Sequence, residues 1–376
     1  MRKIPVYEPD LTGNEIKYAT DALTSGWISS LGQYIDRFEA ALAQSVETDH
    51  AIALSNGTVA LHLALHCLGI GPGDEVIVPT FTYIASVNTI AQTGATPVFA
   101  DVRASDWLLD INDIEHRITP RTKAIMPVHL YGAVCDPAIN DLARRHGLYV
   151  IEDCAEALGS SINGRPVGKD ADVATFSFFG NKTITTGEGG AVTASDPALA
   201  SRMRKVKGQG QSLTKRYWHD EIGFNYRMTN ICAAIGVAQF ERLPNILEKK
   251  RAIAKVYREQ LKDSGLTFQV PLEGVVSSEW LVSLLLPVGL DRDQVMAEMS
   301  SLGFDTRPVF YCAHHMPMYA SPEKFPVSED IAMRGISLPS YPTLEESDVV
   351  RICAALRTVT ESGAGQASKT SLSEAR

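Results

Sequence analysis

EVIVPTFTYIASVNTIAQTGATPVFAD, residues 75–101, decides how this chain folds. EVIVP (75–79) is a short apolar run. YIASVNTIAQTG (83–94) places apolar residues at helical spacing and closes on glycine, and TPVFAD (96–101) is a second apolar run that ends on an acid. Both strand segments are continuously apolar rather than alternating, the pattern of a sheet covered on both faces. Strand, helix, strand in that order predicts a parallel sheet with helices on either side. The same reading extends outward. GTVALHLALHCLG (57–69) is a helix closed by glycine, and KAIMPVHL (123–130) and YVIED (149–153) are further buried strands. The expectation is a three-layer α/β domain.

From about Asn230 the pattern changes. ICAAIGVAQFERLPNILEKKRAIAKVYREQLKDSG is a long helix interrupted by Pro244. TFQVPL, WLVSLLLPV, a helix around DRDQVMAEMSSLG and a last helix near EESDVVRICAALRTV then make a smaller α+β unit. The expected organisation is a large domain over 1–242, a small C-terminal domain over 243–360 and an unstructured polar tail over 361–376. A length of 376 residues suits two packed domains.

Charge and composition exclude several classes. With 35 Lys+Arg against 44 Asp+Glu, the net charge is −9, which argues against nucleic-acid or anionic-membrane partners. MRKIPVYEPD has no apolar stretch of the kind a signal peptide needs. The longest apolar run, Trp280 to Leu290, is broken by Ser283 and Pro287 and is too short for a bilayer span. The six cysteines (67, 135, 154, 232, 312 and 353) form no CxxC pair. They read as reduced, mostly buried thiols of a cytoplasmic protein, with no zinc site and no disulfide framework.

Three short segments carry candidate chemistry. YVIED ends on Glu152 and Asp153, and ligands of open α/β sheets bind at the carboxyl ends of strands. An aspartate there also suits a helix cap. Ser55-Asn56-Gly57-Thr58 precedes a strong helix, which makes either an anion site or a simple cap. FSFFGNKTITTGEGG holds one lysine, Lys182, between apolar segments; its glycine spacing does not fit a phosphate-binding P-loop. A lysine kept near apolar groups can act as a nucleophile toward a carbonyl. An anion cradle, an acid at a strand end and a sequestered lysine are the three things pyridoxal phosphate requires.

SNGTVALHLAL, EVIVPTFTYIAS, TPVFAD, PVHLYG, IEDCAEALGS, FSFFGNKTITTGEGG and GFNYRMTNICAAIG, in this order, resemble the motifs of the DegT-type sugar-nucleotide aminotransferases. The resemblance covers the chain to about residue 358. It implies the aspartate aminotransferase-like, fold type I architecture: a three-layer αβα large domain with a smaller α+β C-terminal domain. It also implies pyridoxal 5'-phosphate as cofactor and L-glutamate as amino donor. FSFFGNKTITTGEGG, RYWHDEIGFNYRMTN and RPVFYCAHHMPMY resemble more closely the members that aminate C4 of a GDP-linked 4-keto-6-deoxy sugar.

By this resemblance Lys182 is the family's Schiff-base lysine and proton shuttle, and Asp153 pairs with the protonated ring nitrogen. Glu156 lies near the ring's phenolic oxygen, and Tyr83 stacks on its face. Gly57, Thr58 and Ser177 hold the phosphate. Asn225 matches a phosphate ligand supplied by a neighbouring subunit, which implies a homodimer with its active sites at the interface. Arg227 matches either an anchor for an acidic group or an interface residue. Arg307 and His314 match the loop that approaches the sugar nucleotide, and Trp27, Ser29 and Ser30 an N-terminal segment near the site. Lys205 and Lys207 are further candidates to meet the diphosphate. Cys312 stands where the family loop usually has proline, and SSEWLVSLLLPV lacks the family's aromatic-rich pattern. A UDP- or dTDP-linked sugar and amination at C3 stay open, since no short motif reads the nucleobase. A related dehydratase would carry histidine in place of Lys182. A non-catalytic cofactor-binding protein would have lost the lysine, the acid or the phosphate residues.

Overall fold

Alternation within single strands builds the layers. In β1 (His50–Leu54), Ile52 and Leu54 join one buried cluster while Ala51 and Ala53 join another on the opposite face of the sheet. The computed structural model describes residues 3–374, with side chains as far as Ser362; the tail expected to be unstructured over 361–376 instead continues the last helix of the chain as far as Glu374. β2 (Glu75–Pro79), β3 (Thr96–Ala100), β4 (Thr122–Ile125) and β5 (Tyr149–Asp153) follow. Two short strands, β6 (Ser161–Ile162) and β7 (Arg165–Pro166), belong to a separate small sheet. β8 (Val173–Ser177) and β9 (Gly190–Ala194) complete a seven-stranded central sheet in the order β1-β9-β8-β5-β4-β2-β3.

Helices α1 (Glu15–Ser25), α2 (Gln33–Ser45), α3 (Gly57–Cys67), α4 (Ile84–Gln92), α5 (Ile111–Arg117), α6 (Ala138–His146), α7 (Pro197–Val206) and α8 (Asn230–Gln260) supply the outer layers. Ile52, Leu54, Val78 and Val192 pack with α3, α4 and α7. On the other face, Ala53, Ala174 and Ala191 are small enough to let Phe38 and Leu42 of α2 and Ala233, Ala234 and Val237 of α8 approach closely. The two boundaries quoted first hold well: EVIVP is β2, and TPVFA is β3, paired with it in parallel.

The sheet is mixed, not wholly parallel. β9 runs antiparallel to both β8 and β1. The loop between β8 and β9 contains no helix, and a parallel neighbour needs a crossover. The chain therefore turns back directly and re-enters the sheet at its carboxyl edge. KAIMPVHL is also shorter as a strand than its apolar run suggests: β4 stops at Ile125, and Pro127, which has no N–H to offer a ladder, follows two residues later. α8 runs continuously through Pro244. Proline removes one bond to the carbonyl of Phe240, and burial of Leu243, Ile246 and Leu247 keeps the helix in place.

A second sheet gathers β10 (Thr267–Phe268), β12 (Val282–Leu285), β14 (Gly335–Leu338) and β13 (Arg307–Pro308), in that spatial order; β11 (Val275–Val276) pairs with β6 instead. Helices α9 (Arg292–Ser301), α10 (Pro326–Arg334) and α11 (Glu346–Glu374) accompany the second sheet. Val282, Leu284, Ile336 and Leu338 face α8, α9 and α11, while Leu281 and Leu285 join the core beneath β2 and β4. α8 crosses the expected domain boundary at 242/243 without a break. The first residues of the chain associate with the second sheet: Ile4 pairs in parallel with Phe304, and its N–H donates to the carbonyl of Gly303 at 2.9 Å. Among the described residues no helix is long and apolar enough to cross a membrane.

Candidate active site

β1, β2, β5 and β8 all end at the same edge of the central sheet, and the returning β8–β9 loop closes over it. A cavity of about 640 Å³ opens there. Gly57 and Thr58 at the start of α3 line it, with Tyr83 before α4, Asp153 and Glu156 at and after the end of β5, and Ser177 at the end of β8. Lys182 enters from the loop, and Trp280, Arg307 and Phe310 from the second sheet. Eight of the sequence-derived candidates thus meet in one place: Gly57, Thr58, Tyr83, Asp153, Glu156, Ser177, Lys182 and Arg307.

Strand alternation separates the two acids of YVIED. Glu152 turns away from the cavity, where its carboxylate accepts from the Gly168 N–H at 2.6 Å and lies 3.3 Å from His129. Asp153 faces the cavity. Its Oδ2 accepts from Ser86 Oγ at 2.8 Å and its Oδ1 from the Ala155 N–H at 3.1 Å. It is buried to 5 % exposure, and among the described residues no Lys, Arg or His forms an ion pair with it. A buried carboxylate without a counter-ion is costly, so the site is built for a cation brought from outside the chain.

Glu156 is buried as well. Its Oε2 accepts from the Tyr131 N–H at 3.0 Å, presented by a residue held at a φ of 58°, and its Oε1 lies 3.5 Å from Lys182 Nζ. Burial pushes the Glu156 carboxyl up to about 7, against the pull of the Lys182 ammonium and the Tyr131 N–H. A raised carboxyl pKa means that the folded chain holds a proton the unfolded chain releases. The contribution is complete below the ordinary 4.5 and declines as pH rises through about 7. Glu156→Gln should remove this slope. In chemical denaturation of the apoprotein, the stability of the variant minus that of the wild type is expected to increase between pH 5 and pH 7.5; a constant difference would contradict the assignment.

Lys182 is held at its backbone as well as its side chain. Its own carbonyl accepts from Tyr7 Oη at 2.5 Å, and the carbonyl of Asn181 accepts from Trp280 Nε1 at 2.7 Å. Its Nζ lies over the Trp280 ring, 4.1 Å from the centroid.

One end of the cavity is the start of α3. Asn56 caps the helix through the Val59 N–H, leaving the other first-turn N–H groups without partners inside the helix. Of the two readings of SNGT, the cap is observed, and Asn56, Gly57 and Thr58 also line the cavity. A Cβ on Gly57 would meet that of Ser177 at 2.9 Å, so glycine lets the helix begin against the serine. At Gly190 a Cβ would strike the carbonyl of Asn56. The glycines after Lys182 therefore bring β9 close to the helix start as well as turning the chain. Gly190→Ala should displace Asn56 and Gly57. The expected cost is about 3 kcal/mol in denaturation and a phosphate affinity lowered at least tenfold; wild-type values for both would show that β9 yields instead.

Tyr83 is 57 % exposed at the cavity, its ring 5.7 Å from that of Phe310, and so offers a free aromatic face. Other candidates lie outside the cavity lining. Asn225 and Arg227 are exposed and bond to each other, Arg227 Nε donating to Asn225 Oδ1 at 3.1 Å. Trp27 and Ser29 are exposed as well, Ser30 is half-buried, and the 27–29 segment is tied to Asn230 through the carbonyls of Trp27 and Ser29. His314 is buried between Thr80 Oγ1, at 2.7 Å, and Glu329 Oε1, at 3.2 Å, where it fastens its loop to the end of β2. Lys207 donates to Glu39 and to the carbonyl of Ala53, and Lys205 pairs with Glu221 and Asp220, so neither ammonium is free for a diphosphate. Ser86, Tyr131 and Trp280 join the site although nothing in their local pattern marks them: Ser86 reaches Asp153, Tyr131 reaches Glu156 and Trp280 reaches Asn181 across the fold.

The model of the DegT/DnrJ/EryC1/StrS aminotransferase family matches residues 9–357. The chain belongs to this family. It is 51 % identical over 362 residues to a protein named GDP-perosamine synthase from Vibrio cholerae, a match covering 94 % of this chain and 98 % of that one. It is 50 % identical over 358 residues to a protein of the same name from Escherichia coli O157:H7, covering 95 % and 98 %. The solved structure of S. venezuelae DesV superimposes with a TM-score of 0.90 at 35 % identity, covering 96 % of this chain and 99 % of that one. Like other family members, this aminotransferase has the fold type I architecture and depends on pyridoxal phosphate. The cavity fits that cofactor: a helix start for an anion, a buried carboxylate without a cation, an exposed aromatic face and a lysine amine all open into it.

Proposed function

We propose that this aminotransferase converts GDP-4-keto-6-deoxy-D-mannose into GDP-perosamine, with L-glutamate leaving as 2-oxoglutarate. The observation that carries this reading is near-full-length identity of about half to two proteins bearing the GDP-perosamine synthase name, in a chain whose cavity gathers the lysine, the acid and the anion site.

Bound pyridoxal phosphate would supply an aldehyde carbon to carry the amino group between the two substrates and an electron-poor ring to stabilise the carbanion. The remaining work belongs to the chain. Lys182 would hold the cofactor through its amine and, when not so bound, would take the proton from the α-carbon of glutamate and deliver one to C4 of the sugar. Asp153, oriented by Ser86, would keep the ring nitrogen protonated. Glu156 and Tyr83 line the same cavity; Glu156 would share a proton with the phenolic oxygen and Tyr83 would cover one face of the ring. Gly57, Thr58 and Ser177 hold the phosphate. Arg307, exposed at the cavity and without an ion pair among the described residues, meets the substrate's negative charge. The second sheet closes the cavity opposite α3 and limits the access of water.

The protein acts as a homodimer in which Asn225, Arg227, Trp27 and Ser29 complete the partner's site. Support comes from their exposure, and from the exposed apolar side chains of Ile28, Leu31, Tyr217, Trp218 and Ile222 around these segments. The product serves a surface polysaccharide such as an O-antigen, and the enzyme works in the cytoplasm. One incubation tests the chemistry: protein, pyridoxal phosphate, L-glutamate and GDP-4-keto-6-deoxymannose, read by mass spectrometry for conversion of the ketone to an amine. A glutamate-dependent amine of that mass is expected. Loss of cofactor colour with glutamate but no amino sugar would move the reading to a UDP- or dTDP-linked substrate.

A further inference from the structure

Trp280 touches two consecutive residues of the lysine loop in two different ways. Its Nε1–H donates to the carbonyl of Asn181 at 2.7 Å, and its ring face lies 4.1 Å from Lys182 Nζ. The indole is itself fixed. It is buried to 3 % exposure and stacks on Tyr131 at a centroid distance of 6.0 Å with an interplanar angle of 14°. Tyr131 stacks in turn on Phe310, at 5.5 Å and 17°, and donates its N–H to Glu156. Glu156 closes the other side of the Lys182 amine at 3.5 Å.

An aminotransferase lysine is bound to cofactor for only part of the cycle. For the rest it carries a proton between carbon atoms, and a four-carbon side chain free to wander would do this poorly. We propose that Trp280 is a positioning residue for Lys182: its N–H sets the direction of the loop and its ring face, with Glu156, is the resting place of the amine whenever the lysine is free. This rests on Lys182 being the reactive lysine of the proposed function. Because Trp280 lies two residues before β12 of the second sheet, displacement of that sheet would move the amine with it.

The variants are Trp280→Phe, which keeps an aromatic face and loses the donor, Trp280→Leu, which loses both, and Tyr7→Phe, which removes only the neighbouring backbone bond. The first readout uses apoprotein: trace reductive methylation, with the Lys182 peptide quantified against exposed Lys255 by mass spectrometry. Lys182 is expected to react about tenfold faster relative to Lys255 in Trp280→Leu than in wild type, with Trp280→Phe between them. The second is the single-turnover loss of cofactor absorbance driven by L-glutamate. Its limiting rate should fall about tenfold in Trp280→Leu and recover in part in Trp280→Phe, while half-saturation by glutamate stays unchanged. Tyr7→Phe should slow the limiting rate without changing the methylation ratio. A folded Trp280→Leu with wild-type values in both assays overturns the proposal; should that variant not fold, wild-type values in Trp280→Phe do so. If wild-type protein shows no response to glutamate, the aminotransferase reading fails, and the methylation ratio still decides whether Trp280 holds Lys182.

Discussion

Lys182→Ala is expected to abolish amine transfer and leave a folded protein. In the proposed function the lysine amine is the nucleophile and proton carrier; its Nζ lies 3.5 Å from Glu156 Oε1 and 4.1 Å from the centroid of the Trp280 ring. Loss of a positioned acid–base group costs about 10²–10⁴ in rate, and losing the nucleophile with it puts turnover near the limit of detection. The fold should survive, because burial already pushes Glu156 up to about 7 and it can be protonated when its partner is gone. Two measurements settle this: amino-sugar formation by mass spectrometry, and peptide mapping after borohydride treatment of the cofactor-loaded protein. The wild type should carry the reduced cofactor on the peptide containing Lys182, and the variant on none. A label on any other lysine would show that the reactive residue has been misassigned.

Asp153→Asn is expected to change activity and stability in opposite directions. Asparagine fills the same volume and can keep the Ser86 and Ala155 contacts, so the end of β5 keeps its shape. An uncharged side chain cannot hold a proton on the ring nitrogen, and the rate should fall by about two to three orders of magnitude. In the apoprotein the same change removes a buried carboxylate that has no cation among the described residues. The variant should therefore denature at equal or higher urea concentration than wild type, by about 1 kcal/mol. Near-normal rates would give the nitrogen to another residue; a strongly destabilised variant would mean that the carboxylate is satisfied within the chain.

What could be read from the sequence follows from locality. β2, α4 and β3 were legible because each is a short run whose apolar period, glycine or terminal acid lies within it. Asp153 and Lys182 stood out because a strand end and an isolated charge are local signals. Other features depend on distant contacts. The antiparallel course of β9 follows from the missing crossover, yet its residues read like those of any buried strand. Tyr7 lies 175 residues from the carbonyl it holds, and Trp280 lies 99 residues from the carbonyl of Asn181; no local pattern marks either contact. His314 had a motif to recommend it, but a motif does not say which way a ring turns, and here both nitrogens are engaged with Thr80 and Glu329.

The turn-back between β8 and β9 also limits how this family member can tolerate changes in length. Both strands are paired in fixed register, Ser177 opposite Gly190 and Ala174 opposite Thr193. One residue added or deleted between them cannot be absorbed as slack at a surface loop. It either pulls Lys182 away from Asp153 and Glu156 or slips β9 by one position, and such a slip would turn Val192 toward the α2 and α8 side and Ala191 toward α3. The Lys182 amine and the hydrophobic layers therefore share one register, and insertions should be far less tolerated here than at exposed turns elsewhere in the chain.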